Sequence, residues 1–172
     1  MMFAVITPAL ITGATADRLR FGSYALLIAI WSVVVYAPVA RWVWNADGWI
    51  YTMGSLDFAG GAAIHINAGV AALAVVMVIG PRKGHGAEPM PPHNLPFTVL
   101  GTGILWFGWI GFNAGSALAA NGIAAQAVVN THLAAAAGML AWLLIERVKT
   151  GHATTLGAAS GAVAGLVAVT PC

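Results

Sequence analysis

Charge is what this sequence has least of. Its 172 residues include seven Lys or Arg and five Asp or Glu, a charged fraction of 7%, where soluble globular domains carry roughly 25%. With 60% hydrophobic residues and a mean hydropathy of +0.86, an ordinary water-soluble fold is excluded. The formal net charge of +2 is spread over too few residues to form the basic footprint of a nucleic-acid binder. Cysteine is nearly absent, and Cys172 alone can make neither an internal disulfide nor a cysteine metal cluster. A basic lead-in is lacking too: the chain opens on the apolar Met-Met-Phe-Ala-Val-Ile, unlike a signal peptide, and stops at Thr170-Pro171-Cys172 without a polar tail. The expectation is an internal piece of a larger membrane protein.

What the chain does hold is long charge-free runs. No Asp, Glu, Lys or Arg occurs from Phe21 to Ala40, Phe58 to Pro81, Pro89 to Ile145, or Thr150 to Cys172. A helix crosses the hydrocarbon core with ~20 apolar residues, so each run can supply one. The third run is long enough for two, and the small and turn-forming residues from Asn113 to Gly122 mark its break. Helices are expected near 1–16, 22–44, 58–80, 96–117, 123–146 and 155–172. The fold class expected is an all-α polytopic membrane protein with about six transmembrane segments, the first and last cut short.

The cations give the orientation. Arg18 and Arg20 follow the first segment, Arg82 and Lys83 the third, Arg147 and Lys149 the fifth, and Arg41 alone lies on the other side. Loops 17–21, 81–95 and 146–154 are therefore expected in the cytoplasm of a multi-pass cell-membrane protein. Loops 45–57 and 117–123 face outward, and Trp49 and Tyr51 read as an interfacial aromatic belt.

Small residues recur at helical spacing. Gly157, Gly161 and Gly165 share a face, as do Gly61 and Gly69 around His65, and such faces let helices approach closely in lipid. His65 lies eight residues past Asp57, on the order of 12 Å into the membrane. An ionisable group at that depth faces the protein interior or a cavity and is either a site or an interhelical hydrogen bonder. His132 reads as structural, and His85, His93 and His152 as solvated loop positions. Asp57, opening its helix, reads first as a cap for free backbone N–H groups. Trp109, Phe112 and Ser116 form one stripe at i, i+3 and i+7, which suits core packing or a hydroxyl beyond two rings whose faces attract a cation.

The run from Asp57-Phe-Ala-Gly-Gly-Ala-Ala-Ile-His65-Ile-Asn-Ala-Gly69 to Gly80-Pro-Arg82 resembles the signature of the ammonium transporter (Amt/MEP/Rh) family. Phe21 after Asp17-Arg-Leu-Arg20, Pro92-His-Asn-Leu-Pro96, Gly108-Trp-Ile-Gly-Phe-Asn-Ala-Gly-Ser116 and Ser160 to Pro171 support the resemblance over essentially the whole chain. It implies one incomplete ammonium-transporter-like domain over residues 1–172. Trp44, Ser116 and Phe3 would form the outer ammonium site, and Phe3 and Phe112 the phenylalanine gate below it. His65 would be the first of two pore histidines, Trp109 a wall residue, and Asp57 a support that does not touch the ion. The second histidine would lie in a later helix, beyond Cys172; His132 does not occupy its motif. The partners implied are ammonium or ammonia, the lipid bilayer, two further copies in a homotrimer, and a cytoplasmic regulatory protein, which the Arg82-Lys83-Gly-His-Gly86 loop could contact if it is not simply a topological anchor.

Ammonium and potassium are alike in size and charge, but only ammonium donates hydrogen bonds and can lose a proton. A bare ion in an apolar pore meets a desolvation cost that ammonia largely escapes. The expected function is ammonium transport with recruitment outside, deprotonation at the gate and passage of ammonia along His65. No enzyme activity and no cofactor is implied. The alternatives are an ammonium sensor fused to a signalling module, a haem-binding electron-transfer subunit with His65 and His132 as axial ligands, and an inert fragment.

Overall fold

The computed structural model describes residues 2–170, which are helices and connecting turns with no strand among them. Met1, Pro171 and Cys172, which the expected first and last segments include, lie outside the described residues. In chain order the helices are α1 (Met2–Ala9), α2 (Thr12–Thr15), α3 (Phe21–Trp31), α4 (Ala37–Trp44), α5 (Trp49–Thr52), α6 (Asn67–Ile79), α7 (Leu95–Gly115), α8 (Gly122–Thr150) and α9 (Thr155–Val169). Wider π turns at Ser32–Tyr36 and Gly61–Ile66 lead into α4 and α6. Four stretches are long and apolar enough to cross a membrane: Phe21–Thr52, Gly61–Ile79, Leu95–Gly115 and Gly122–Thr150. Met2–Thr15 and Thr155–Val169 are shorter apolar helices, so all six expected segments are present. Many large apolar side chains are exposed, Phe21, Val78, Phe107 and Val148 among them, as a surface solvated by lipid requires.

Local chemistry sets the boundaries. Asn94, Asn121 and Thr154 cap α7, α8 and α9 by accepting from the N–H of Phe97, Ala124 and Gly157 at 3.0, 3.0 and 2.9 Å. α8 ends on Gly151 in the left-handed conformation (φ 85°). It runs past the expected end at 146, so Glu146, Arg147 and Lys149 belong to its last turns rather than to a loop. The two cations there complement the carbonyl end of the helix. The first expected helix is broken after Ala9, where Leu10 and Ile11 turn back onto the carbonyls of Ile6, Thr7 and Pro8. The π turn at Ser32–Tyr36 comes just before Pro38, which lacks an N–H and crowds the carbonyl four residues back; widening the helix there relieves the clash.

The chain forms two compact units divided between Met90 and Pro91. In the first, α1 packs on both π turns, α4 on the second of them, and α2 on α6. Its interior gathers Thr7, Ile11, Val43, Ala59, Ala63, Ile64 and His65. In the second, α8 and α9 make the most extensive contact, with α7 against both. Trp109, Ala135 and Leu166 form its core, with Trp106, Phe112 and Val167 against them.

The glycine stripe of α9 acts as expected. A Cβ on Gly161 would come within 2.7 Å of the Gly138 carbonyl, and one on Gly165 would collide with the Ala134 carbonyl. The stripe around His65 does not hold. Gly61 is buried, but Gly69 is exposed with open space around its Cα, and Ala68 is buried instead. The π turn inserts an extra residue between Gly61 and Gly69, so a spacing of four no longer returns to the same face.

Candidate functional site

In the first unit the site is organised by Asp57. Its Oδ1 accepts from the N–H of Gly60 at 2.7 Å, and its Oδ2 from the N–H groups of Ala62 and Ala63 at 3.1 and 2.9 Å. These donors open the π turn and have no carbonyl of an earlier turn to bind, so one carboxylate satisfies three of them. The chain enters the turn through Gly60 at φ 106°, where a Cβ would also strike the Ile64 side chain. The Gly60 carbonyl then accepts from both Ile64 and His65 at 2.9 and 3.1 Å, and the second bond spans five residues. His65 thus sits in a widened turn, 8% exposed, on a segment pinned by Asp57. Such turns are common at functional sites.

The same residue fixes the indole of Trp44. Trp44 Nε1–H donates to the backbone carbonyl of Asp57 at 3.0 Å. The Trp44 ring meets the Phe3 ring at 5.7 Å between centroids, tilted by 32°. Thr7, fully buried, donates its hydroxyl to the Phe3 carbonyl at 2.5 Å. Phe3 and Trp44 are each half-buried, so a two-ring face stands where α1 and α4 place it.

In the second unit, Trp109 and Phe112 are stacked at 5.2 Å, 27° apart. Trp109 is 3% exposed, and its Nε1–H donates to Thr170 Oγ1 at 2.9 Å, while Thr170 donates to the Leu166 carbonyl. Ser116, just past α7, donates its hydroxyl to the Phe112 carbonyl at 2.9 Å. The single hydroxyl proton is thereby used, and the oxygen keeps lone pairs for an incoming N–H donor. Asn113 Nδ2 donates to Thr131 Oγ1 at 2.9 Å in the buried interior.

Phe3, Trp44, Asp57 and His65 therefore belong to the first unit, and Trp109, Phe112 and Ser116 to the second. His132 is exposed on α8; its Nδ1 accepts from Trp106 Nε1–H at 3.3 Å, with the rings 5.2 Å apart. Among the described residues no group of three His, Cys, Asp or Glu could hold a metal. Sequence reasoning passed over Thr170 as the partner of Trp109 and Asn113–Thr131 as a buried polar pair. Their partners stand 61 and 18 residues apart, where no local pattern points.

The model of the Ammonium Transporter Family matches residues 1–172. An ammonium transporter of Mycobacterium tuberculosis (strain ATCC 25618 / H37Rv) is 58% identical over 99% of this chain and 38% of its own length. The crystal structure of Candida albicans Mep2 superposes with a TM-score of 0.91 at 44% identity, covering 99% of this chain and 39% of that one. A structure described as a sensor Amt protein gives 0.92 at 30% identity over 98% of this chain and 44% of its own. The chain spans about two-fifths of the length of the curated relatives it matches. With its Asp57-anchored histidine turn, its paired aromatic rings and a family match from end to end, this multi-pass membrane chain belongs to the Ammonium Transporter Family.

Proposed function

We propose that residues 1–172 are one part of an ammonium transport domain, and that the natural polypeptide carrying them moves ammonium across the cell membrane. The observation that carries the reading is the set of hydrogen bonds through which Asp57 fixes both the Trp44 indole and the turn bearing His65. Ammonium is recruited at the faces of the Phe3 and Trp44 rings, which attract a cation, with the Ser116 oxygen accepting a hydrogen bond from one of its N–H groups. At the Phe3/Phe112 gate it gives up a proton to water. Ammonia then passes His65, with Trp109 as a wall held in place by Thr170. Asp57 orients this machinery without touching the ion. Loops 17–21 and 81–95 and the end of α8 lie in the cytoplasm, where a regulatory protein docks, and the full-length protein assembles as a homotrimer. The polypeptide is a transporter, not an enzyme.

The likeness to a sensor Amt protein supports a second reading, in which the same site binds ammonium and reports it to a fused module. Membership of a transporter family weighs against the haem subunit.

The outer site is tested by initial rates of ammonium-dependent flux in liposomes. Trp44→Ala is expected to raise the half-saturating concentration ~2- to 30-fold, as loss of a cation–π contact of ~0.5–2 kcal/mol predicts. Ser116→Ala is expected to raise it roughly 10- to 150-fold, for a hydrogen bond of ~1.5–3 kcal/mol from a charged donor. Half-saturation unchanged in both variants contradicts the assignment.

A further inference from the structure

α1 is a weak support for an aromatic ring. It has only eight residues, Met2–Ala9, and Pro8 lies inside it. Pro8 carries no N–H, so the Ala4 carbonyl loses its helical donor, and the proline ring crowds that carbonyl. A helix this short is marginal by itself, and the orientation of Phe3 therefore depends on what holds α1 from outside. The Thr7 hydroxyl donates to the Phe3 carbonyl at 2.5 Å, and the Tyr36 hydroxyl is hydrogen-bonded to the Thr7 side chain. Thr7 has one hydroxyl proton, and Phe3 takes it, so Tyr36 is the donor to Thr7 Oγ1. Thr7 is fully buried and Tyr36 nearly so, where a hydroxyl without a partner is costly.

Tyr36 closes the π turn Ser32–Tyr36, and the chain continues from it through α4 to Trp44. The Tyr36 ring lies 6.4 Å from the Trp31 ring between centroids, so packing holds the phenol in place whether or not its hydroxyl is bonded. One segment thus carries the Trp44 ring directly and reaches Phe3 through Thr7. We infer that Tyr36 is a positioning residue for the outer ammonium site: through Thr7, its hydroxyl holds the Phe3 ring at the observed 5.7 Å and 32° from the Trp44 ring. The role rests on the outer site proposed above. A cation held at two ring faces is bound less tightly when one face shifts away, whereas the steps beyond the site are left as they were. Loss of the hydroxyl is therefore expected in the half-saturating concentration and not in the maximal flux.

The test measures initial ammonium flux by the natural polypeptide in liposomes over a range of ammonium concentrations. Tyr36→Phe keeps the ring and its packing on Trp31 and removes only the hydroxyl. It is expected to raise the half-saturating concentration about fivefold, the loss of one neutral hydrogen bond, with maximal flux retained. Thr7→Val, which breaks the link from the other side, is expected to give at least as large a rise. In a Phe3→Leu background Tyr36→Phe is expected to add nothing, since the ring it positions is gone. An equal rise with and without the Phe3 ring means that Tyr36 acts elsewhere and overturns the role. So does a lower melting temperature or a lower maximal flux with half-saturation unchanged, which makes the hydroxyl a purely structural one. If Trp44→Ala raises half-saturation and Tyr36→Phe does not, the outer site stands and the role of Tyr36 alone falls. If neither raises it, the outer site falls and the role falls with it.

Discussion

Replacing His65 by Leu is expected to reduce ammonium-driven flux by about ten- to a hundredfold, with the folded protein retained. The imidazole is buried, 8% exposed, in a π turn whose backbone is tied to Asp57 and Gly60. Leucine fills similar space and keeps the apolar surroundings, so the loss is chiefly of hydrogen-bonding capacity. A polar solute crossing an apolar passage without a partner there meets a penalty of ~1–3 kcal/mol, roughly 5- to 160-fold in rate, which brackets the expected loss. Glutamine, which both donates and accepts, is expected to hold more flux than leucine. The order Gln above Leu is one that a purely structural histidine would not produce, since buried glutamine packs worse than leucine in an apolar interior. Flux equal to wild type in His65→Leu removes the ring from the path.

The second large effect is on folding. Asp57→Ala removes the acceptor for the N–H groups of Gly60, Ala62 and Ala63 together. Loss of a cap costs ~0.5–2 kcal/mol, and each further buried donor left without a partner ~1–3 kcal/mol. The sum is roughly 2.5–8 kcal/mol, which at about 2–4 °C per kcal/mol lowers the melting temperature by on the order of 10 °C or more. Asp57→Asn keeps one acceptor oxygen and is expected to fall between the two. Thermal unfolding of the purified protein checks this. A melting temperature for Asp57→Ala indistinguishable from wild type means that the three donors find other partners and that Asp57 does not set the His65 turn.

These residues also show how far sequence reads into structure. Helix spans were legible because they rest on a local quantity, the charge-free runs, whereas the caps Asn121 and Thr154, three residues before the N–H they serve, came with the structure. Asp57 as a cap was legible for the same reason. The π turn at Gly61–Ile66 was not, because nothing in Gly-Ala-Ala-Ile-His-Ile distinguishes a helix of wide pitch from an ordinary one. The expected face shared by Gly61, His65 and Gly69 was lost with it. α9 carried no such turn, and its stripe at 157, 161 and 165 kept its register against α8. At the α8–α9 corner, Glu146 accepts from both the N–H and the hydroxyl of Thr154 at 2.9 and 2.8 Å, beside a Gly157 on which a Cβ would displace that carboxylate. The glycine was visible in sequence as a packing residue, whereas Glu146 drew no reading of its own. Contacts closed by tertiary folding, such as Trp109 to Thr170 across 61 residues, leave no periodic trace.

The central claim is that the natural polypeptide carrying this chain separates ammonium from potassium by letting through what has lost its proton. Initial uptake rates of the two ions, measured in the same liposomes under equal gradients, test it most directly. The account predicts rapid ammonium-driven flux that His65→Leu suppresses, and no potassium flux above that of empty liposomes. Equal rates for the two ions, or ammonium movement indistinguishable from protein-free vesicles, contradict it.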